Sequence, residues 1–274
     1  MVTSLSGLRS SLHYLVASAI LAVMVFPLLW MFRVAFLPPG DISLGSIWSL
    51  QFSMTALRDM FAIGHMFRYL VNSALVGISV TLGNLCFCFM TGYTLARYRN
   101  ISNRILFVSV IVVLMIPAHI IIIPLYVLLT KIGLYDSYAA LILPFLVNPI
   151  GIFLVKQYVE SIPTSMEEAA RIDGAGEMRI LFGVVMPLCK PALAVLAIQV
   201  FFTNWNSFLF PFILTSSEEL RTIPVGLAML QGHQAIDWQH LMAGSVVAVV
   251  PILVVFLVLQ RQIVAGVTAG AIKQ

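Results

Sequence analysis

Residues 168–176 read Glu168-Ala169-Ala170-Arg171-Ile172-Asp173-Gly174-Ala175-Gly176 and lie in the longest polar interruption of an otherwise apolar chain. Four long apolar segments precede this stretch and two follow it. Its helix-forming residues and glycines predict a short helix that ends in a turn. A charged, helix-forming loop set between apolar segments indicates a contact point for another protein rather than a passive connector.

The composition is typical of a membrane protein. Hydrophobic residues make up 61% of the 274 residues and charged residues only 9%, with a mean hydropathy of +1.02. Soluble domains usually carry about 25% charged residues, so this chain has too little polar surface to cover a globule in water. Several apolar runs approach or exceed the ~20 residues that a helix needs to cross a bilayer. The sequence therefore predicts an all-α polytopic membrane protein rather than a β-barrel, whose strands would alternate in short segments.

The apolar runs predict six membrane-spanning helices in a single transmembrane domain that covers residues 1–274. The predicted spans are, approximately, residues 12–37, 66–95, 105–129, 138–155, 191–214 and 241–259. The polar loop that contains Glu168 covers residues 156–190. The sequence shows no second soluble domain and no close internal repeat.

The placement of Lys and Arg predicts which side of the membrane each loop faces. Six spans put both termini on one side, together with the polar loop. The basic residues on this side are Arg9, Arg97, Arg99, Arg104, Lys156, Arg171, Arg179, Lys190, Arg261 and Lys273. The other side holds Arg58, Arg68, Lys131 and Arg221, with Arg33 at the nearby end of the first span. Because cytoplasmic loops carry the excess of positive charge, both termini and the polar loop are predicted to be cytoplasmic.

The polar loop carries the start signals of a helix. Pro163 suits a first helical turn, where a missing N–H is tolerated. Thr164 with Glu167, and Ser165 with Glu168, are each spaced as a capping box, in which the two side chains satisfy the first free N–H groups.

The stop signals follow after two to three turns. Gly174 and Gly176 are expected to end the helix, because glycine readily adopts the left-handed geometry of a C-cap. A second helix is predicted to start within residues 178–186. A helix as short as the first is marginal in water and needs packing. Two interpretations stay open: docking onto a partner protein, or an amphipathic elbow that lies on its own membrane surface.

Several stretches resemble a known family. Glu168-Ala169-Ala170-x-x-Asp173-Gly174-Ala175, followed by Pro187-Leu188-x-x-Pro191, resembles the EAA loop of ABC importer membrane subunits. Others are similar to the carbohydrate branch, the maltose-type inner permease family of binding-protein-dependent transport systems: Asn72-Ser73, Tyr93-Thr94-Leu95-Ala96-Arg97, Ile116-Pro117, Ile123-Pro124-Leu125-Tyr126, Gly133-Leu134-Tyr135-Asp136-Ser137-Tyr138, Leu141-Ile142-Leu143-Pro144, Trp205-Asn206-x-Phe208 and the tail from Gln260 to Lys273. The resemblance extends from the first span onward and implies the type I permease fold of ABC importers.

The resemblance implies that the polar loop is a coupling helix, which docks in a cleft on a cytoplasmic ATPase subunit. Glu168 would contact the ATPase, Gly174 would permit the turn and Asp173 would brace it. The residues implied in ATPase coupling are Glu167, Glu168, Ala169, Ala170, Asp173, Gly174, Ala175 and Gly176. The cytoplasmic tail, with Thr268, Ala269, Gly270 and Lys273, matches a segment that reaches toward the ATPase pair, although Gln274 replaces the family's final glycine.

The partners that the resemblance implies are a second permease subunit in a heterodimer, two ATP-binding cassette ATPase subunits and an extracytoplasmic solute-binding protein. All would assemble at the cytoplasmic (inner) membrane of a prokaryote, with no nucleic acid. ATP and Mg would be bound by the ATPase subunits, and no cofactor is expected on this chain. The sequence agrees, because no lysine follows a glycine and a P-loop cannot be written.

Polar residues inside the predicted spans are candidates for a cargo path, because unsatisfied polar groups are costly in a bilayer. His119 lies between two prolines, in a segment expected to be a broken helix, and Trp205 can stack on a sugar ring. The alternative for each residue is hydrogen bonding or packing between helices. The candidates are Asn84, His119, Asn148, Thr203, Asn204, Trp205 and Asn206.

An enzyme and a metal site are both disfavoured. The sequence contains no His-Glu-x-x-His and no visible Ser/His/Asp cluster at a membrane surface. Cys86, Cys88 and Cys189 have no convergent ligand partners and are predicted to be small buried residues.

The leading hypothesis is therefore a membrane-spanning subunit of an ATP-driven, binding-protein-dependent importer that moves a sugar by alternating access. One alternative is the same architecture with a non-sugar cargo such as a glycerol phosphate. The other is a stand-alone secondary transporter, which the lack of carboxylates deep in the spans disfavours.

Overall fold

The structure, a computed structural model, describes residues 2–40, 42, 51–62, 65–230 and 237–271. Over these ranges the chain consists of helices and their connections, without a strand. The α-helices in chain order are α1 Val2–Ala35, α2 Thr55–Ala62, α3 Met66–Arg97, α4 Ile101–Leu114, α5 Ile122–Lys131, α6 Tyr138–Ile142, α7 Pro149–Glu160, α8 Ser165–Ile172, α9 Glu177–Ile180, α10 Met186–Leu188, α11 Lys190–Trp205, α12 Leu209–Leu214, α13 Ile223–Met229 and α14 Trp238–Ala271. Short 3₁₀ turns cover Ala118–Ile121, Leu143–Phe145 and Glu218–Leu220, and a π-helical stretch, Leu181–Val185, joins α9 to α10.

Four described helical stretches are long and apolar enough to cross a membrane as they stand: Leu12–Ala35, Met66–Arg97, Tyr138–Glu160 and Trp238–Val258. Two more stretches qualify as bent pairs. Ile101–Leu114 and Ala118–Lys131 meet at 94°, and Glu177–Leu188 and Lys190–Trp205 meet at 78°. The described part of the chain thus holds up to six spans, if each bent pair is one span, and the predicted all-α polytopic architecture is confirmed.

The third predicted span is not one straight helix. It starts at Ile101 rather than at residue 105, and α4 ends at Leu114. Pro117 lies at the break. It accounts for the interruption, because proline lacks a backbone N–H and disfavours helical geometry in the residue before it.

The fifth predicted span also differs in the structure. Its helix α11 ends at Trp205, and α12, at Leu209–Leu214, is separate. On the other side of the bend, helical structure begins at Glu177, inside the predicted polar loop. Because α7 already runs to Glu160, the connection that contains α8 covers only residues 161–176 rather than 156–190.

The chain divides into two compact units, Met1–Phe67 with Leu227–Val250, and Arg68–Gly226 with Pro251–Gln274. In the first unit, buried Met60 and Met66 pack with Ala243 and Val246 of α14.

The core of the second unit is built where α3, α7 and α11 pack closely. Buried Phe89, Val155 and Leu196 belong to it. Gly92 permits the close contact of α3 with α7, since a Cβ there would lie 2.8 Å from Cβ of Val155. Two of the cysteines, Cys88 and Cys189, are buried in this core as predicted. The prediction that Cys86 is buried is wrong, because this residue faces away from the core and is exposed.

Candidate functional site: the anchored helix of the polar loop

Helix α8 spans Ser165–Ile172, in agreement with the predicted short helix, but its start differs from the prediction. Thr164 is the N-cap residue, and its side chain accepts no capping hydrogen bond. Ser165 lies inside the helix rather than at the cap. The predicted capping boxes are therefore wrong, because the carboxylate of Glu167 is bonded to another helix instead of its own N-terminus.

The carboxylate of Glu167 anchors α8 to the end of α3. The Nε of Arg97 donates to Oε1 of Glu167 at 2.6 Å, and the Tyr93 hydroxyl donates to Oε2 at 3.0 Å. Arg97 also donates through Nη2 to the carbonyl of Ile162 at 2.9 Å. Tyr93 and Arg97 are four residues apart, so they share one face of α3. The first turn of α8 is thereby held at two points by the end of a long apolar helix.

Glu168, next in the chain, is exposed. Within the described residues, no hydrogen bond or ion pair involves its carboxylate. Met166, Ala169 and Ile172 are also exposed, and their spacing of three places them on one face of α8. Ile172 is the extreme case, with 87% of its surface exposed. Ala170, by contrast, packs against the core of the second unit.

The turn after α8 has the left-handed geometry that was predicted from Gly174. Gly174 has a φ of +80°, in the left-handed region. Its N–H donates to the carbonyl of Arg171 at 3.0 Å, and the N–H of Ala175 donates to that of Ala170 at 2.9 Å. These two bonds form a Schellman motif, with Asp173 as the C-cap residue. Gly176 does not share this role, because its φ is −72° and it is the N-cap residue of α9.

A second ion pair closes the loop from the other end. The guanidinium of Arg171 donates to both carboxylate oxygens of Glu177 at 2.8 and 3.1 Å, and the Tyr98 hydroxyl donates to Oε2 of Glu177 at 3.2 Å. The hydrogen bond with Glu177 raises the pKa of Arg171 above its ordinary value. This pair is solvent-exposed, so its net contribution to stability is small.

Three of the four predicted tail residues fall at the end of the described chain. Thr268, Ala269 and Gly270 lie in the last turns of α14. Lys273 lies outside the described residues.

Two of the predicted cargo-path residues are brought together by Cys88. Buried Asn84 donates through Nδ2 to the carbonyls of Val80 at 2.9 Å and Phe145 at 2.7 Å. The Cys88 thiol donates to the carbonyl of Asn148 at 3.4 Å and lies 3.6 Å from Oδ1 of Asn84. The Asn148 side chain accepts from the N–H of Ile150 and caps α7. Both asparagines thus form hydrogen bonds that join or cap helices.

His119 lies next to this group on the 3₁₀ turn that follows the break at Pro117. Its exposed ring stacks on Phe210 with the ring centroids 6.1 Å apart. The rings of Phe210 and Phe145 meet in a T-shaped arrangement, with their centroids 5.0 Å apart. The backbone carbonyl of Phe145 accepts the hydrogen bond from the Asn84 side chain. One continuous row of contacts therefore connects His119 with Asn84.

The other candidates lie together at the end of α11. The side-chain amides of Asn204 and Asn206 each donate to a carbonyl four residues earlier in the helix, at 2.9 Å. Trp205 is buried and its ring stacks on Phe201 at 5.4 Å. Thr203 is exposed.

The most important residues that sequence reasoning missed are Tyr93 and Arg97. They belong to one of the stretches that resemble the family, and their spacing of four was visible, but nothing in the sequence pointed to Glu167 as their partner.

Asp136 is another residue whose contacts the sequence did not indicate. Its backbone φ is +55°. Its Oδ1 accepts from the N–H groups of Ser216 at 2.8 Å and Ser217 at 3.0 Å, and from the Ser217 hydroxyl at 3.0 Å. Burial acts to raise the pKa of Asp136, but these hydrogen bonds outweigh it and hold the pKa below its ordinary value.

The bent and straight apolar helices, together with one anchored helical connection, define the class of the protein: a helical, multi-pass membrane protein. Residues 88–268, more than half of the chain, match the family described as binding-protein-dependent transport system inner membrane component. The chain belongs to this family. It is a transport permease subunit and a multi-pass protein of the cytoplasmic membrane.

Individual relatives agree with this assignment. The chain is 36% identical over 256 residues to AraQ of Halalkalibacterium halodurans, an arabinooligosaccharides transport system permease protein, with 92% of each chain covered. It is 32% identical over 269 residues to MalG of Thermococcus litoralis, a trehalose/maltose transport system permease protein, with 94% of this chain and 96% of MalG covered. It is 30% identical over 201 residues to UgpE of Brucella abortus, an sn-glycerol-3-phosphate transport system permease protein, with 73% of this chain and 71% of UgpE covered.

The fold has a solved counterpart. A chain of a bacterial ABC transporter that imports the acidic polysaccharide alginate superposes with a TM-score of 0.82, at 21% identity, over 93% of this chain and 96% of that one. This likeness confirms the ABC importer permease fold that the sequence resemblance implied.

Proposed function

We propose that this chain is one of two membrane-spanning subunits of an importer in which separate ATPase subunits hydrolyse ATP and an extracytoplasmic binding protein delivers a sugar. The observation that carries the proposal is the division of α8 into two faces. Glu167 bonds one face to Arg97 of α3, whereas Glu168 and Ile172 project from the surface. A helix attached firmly on one side and free on the other is suited to transmit force from a docked partner.

The contacts define how such a force would reach the spans. A push on α8 acts on α3 through Glu167 and Arg97, and on α9 through Arg171 and Glu177. Helix α9 belongs to the bent pair that continues into α11. Closure of an ATPase dimer would therefore move two spans together, as alternating access requires. ATP and Mg²⁺ would be bound on the ATPase chains, so this chain needs no cofactor.

The proposed orientation puts both termini and α8 in the cytoplasm. The placement of the basic residues supports this orientation. The helix ends that lie on the same side as α8 carry Arg97, Arg99, Arg104 and Lys156. The coupling residues proposed at this end are Glu168, Ala169, Ile172 and the turn at Gly174, with Glu167 as a positioning residue.

A sugar is the proposed cargo because relatives such as AraQ and MalG are named as permeases for oligosaccharides or disaccharides. A glycerol phosphate is the second candidate, since UgpE is named for one. A phosphate cargo would favour cationic side chains that are not already paired. Arg68 is instead paired with Glu219 at 3.4 Å and is not free for such a cargo.

The docking proposal is tested with Glu168→Gln in the transporter reconstituted in proteoliposomes with its ATPase subunits. We expect weaker ATPase association and slower uptake with unchanged folding. Glu219→Gln is the matched control for ATPase association, since it removes an exposed carboxylate outside the polar loop and is expected to leave that association unchanged. Wild-type association and uptake in Glu168→Gln would show that α8 is not the docking site.

The cargo is tested separately by measuring calorimetric binding of an arabino-oligosaccharide, maltose and sn-glycerol-3-phosphate to the associated binding protein. Binding of either sugar, followed by its uptake, supports the sugar proposal. Binding of sn-glycerol-3-phosphate alone contradicts it and leaves the docking proposal intact.

A further inference from the structure

A cavity of about 420 Å³ lies beside the loop that joins α3 to α4. Its walls include Arg99 and Arg104 from that loop and the first turn of α4, Phe107 of α4, and Lys156 and Glu160 of α7. We call it the α3–α4 pocket. A second cavity of about 460 Å³ shares Arg99 and Glu160 with it and continues toward the start of α8.

The α3–α4 pocket has an excess of positive charge. Its walls carry Arg99, Arg104 and Lys156 but only one carboxylate, that of Glu160. Lys156 already neutralises this carboxylate, since its Nζ lies 2.7 Å from Oε1 of Glu160. Among the described residues, neither Arg99 nor Arg104 forms an ion pair. Two guanidinium groups therefore border the pocket with no anion to balance them.

The backbone that carries the two arginines is held by side-chain hydrogen bonds. The Asn100 side chain accepts from the N–H of Asn103 at 2.8 Å. The Asn103 amide donates to the carbonyl of Tyr98 at 2.7 Å. The N–H of Arg104 donates to the carbonyl of Asn100 at 3.1 Å. A loop fixed in this way keeps both arginines at the pocket without the entropy loss of ordering a flexible segment.

An apolar stripe leads away from the pocket along α4. Ile101, Ile105, Val108 and Val112 are all more than half exposed. Their spacing of four, three and four residues places them on one face of the helix. Helix α4 belongs to a candidate membrane span, so this face is suited to contact acyl chains. The positive pocket thus opens next to a surface that is complementary to lipid tails.

We propose that the α3–α4 pocket binds the phosphate of an anionic phospholipid, with Arg99 and Arg104 on the headgroup and the acyl chains along the α4 stripe. The arginine fork matches phosphate oxygens in pairs, which a single ammonium does not. A soluble phosphate compound would use the arginines but not the apolar stripe, and for this reason the structure favours a lipid. The proposal rests on the membrane location of the chain and is independent of the cargo and of ATPase docking.

The test uses the full-length chain, purified with its partner subunits in dodecyl maltoside and offered equal amounts of phosphatidylglycerol and phosphatidylcholine. Native mass spectrometry then measures the ratio of the two lipids retained. We expect the wild type to prefer phosphatidylglycerol. Each arginine near an anionic headgroup contributes roughly fivefold in affinity, so Arg99→Gln/Arg104→Gln is expected to lower that preference by about 25-fold. Circular dichroism checks that the variant is folded.

The matched control is Arg179→Gln/Lys190→Gln, which removes the same charge from two exposed residues outside the pocket. It is expected to keep the wild-type preference. An equal loss in the control would overturn the proposal, because the effect would then be general surface charge. An unchanged preference in the arginine variant, or no preference in the wild type, would overturn it directly.

Two further measurements distinguish a lipid from other possible occupants of the α3–α4 pocket. Inorganic phosphate that displaces phosphatidylglycerol as well as a short-chain phosphatidylglycerol does would show a soluble-anion site and overturn the lipid assignment. Loss of the ATPase subunits from the arginine variant, with lipid preference kept, would show a protein interface and also overturn it. Wild-type ATPase association together with lost lipid preference supports the proposal even where Glu168→Gln shows no docking defect.

Discussion

Arg97 and Glu167 form a buried ion pair in which Nε of the arginine lies 2.6 Å from Oε1 of the glutamate. Only 11% of the arginine side chain and 2% of the glutamate side chain are exposed. The pair joins the last residue of α3 to the first turn of α8, and the Tyr93 hydroxyl completes it. Breaking such a pair leaves the remaining charge without compensation, which is far more costly than losing an exposed pair.

We therefore expect Glu167→Ala to destabilise the protein by about 3 kcal/mol, because Arg97 would remain partly buried without a counterion. The apparent melting temperature of the purified chain in detergent measures this. Glu168→Ala is the neighbouring control and is expected to change the free energy of unfolding by less than about 0.5 kcal/mol, since its side chain is exposed. Equal effects of the two substitutions would contradict the anchor.

Gly174→Ala is expected to weaken the turn after α8 by about 1–2 kcal/mol, because its φ of +80° is unfavourable for a residue with a Cβ. Space is not the cause, since no atom lies within 4 Å of the added Cβ. Gly176→Ala is the control, with equally open space and a φ of −72°. Hydrogen exchange at the amides of residues 174 and 175 should accelerate in the first variant only. Similar exchange in both would argue against the Schellman turn.

Gly92→Ala is expected to destabilise the packing of α3 on α7 by roughly 1–3 kcal/mol. The new Cβ would lie 2.7 Å from Cγ1 of Val155 and 3.0 Å from the backbone nitrogen of Lys156, and a backbone atom does not move aside easily. Gly183→Ala is the control, because its nearest contact is the flexible Arg179 side chain at 3.9 Å. Thermal melting should separate the two variants; a harmless Gly92→Ala would disprove the close approach.

Asp136 predicts a pH dependence of stability. Because its pKa is lowered in the folded chain, its hydrogen bonds stabilise the fold above the unfolded pKa of about 4, and this contribution is lost as the pH falls through the folded value. Asp136→Asn keeps a side chain that tolerates the positive φ and removes the charge. The melting temperatures of wild type and variant should differ at neutral pH and converge in acid. A constant difference at every pH would contradict the role of the carboxylate charge.

Much of the fold is predictable from the sequence, because spans are defined by long apolar runs. The turn at Gly174 is predictable for a similar reason, since the left-handed region excludes most residues other than glycine. The breaks at Pro117 and near Cys189 were only partly predictable. Proline predicts an interruption, but the angles of 94° and 78° depend on what each half packs against.

The sequence by itself determined a helical membrane protein with one polar connection and a helix in it. Only the tertiary structure decided that Glu167 is the anchor and Glu168 the exposed neighbour. The two residues are chemically identical and adjacent, and they differ by about 100° around the helix axis. Which of them faces inward depends on where Tyr93 and Arg97 lie, and no local pattern contains that information. The same is true of Arg99 and Arg104, whose lack of a counterion becomes visible only when α4 and α7 are placed side by side.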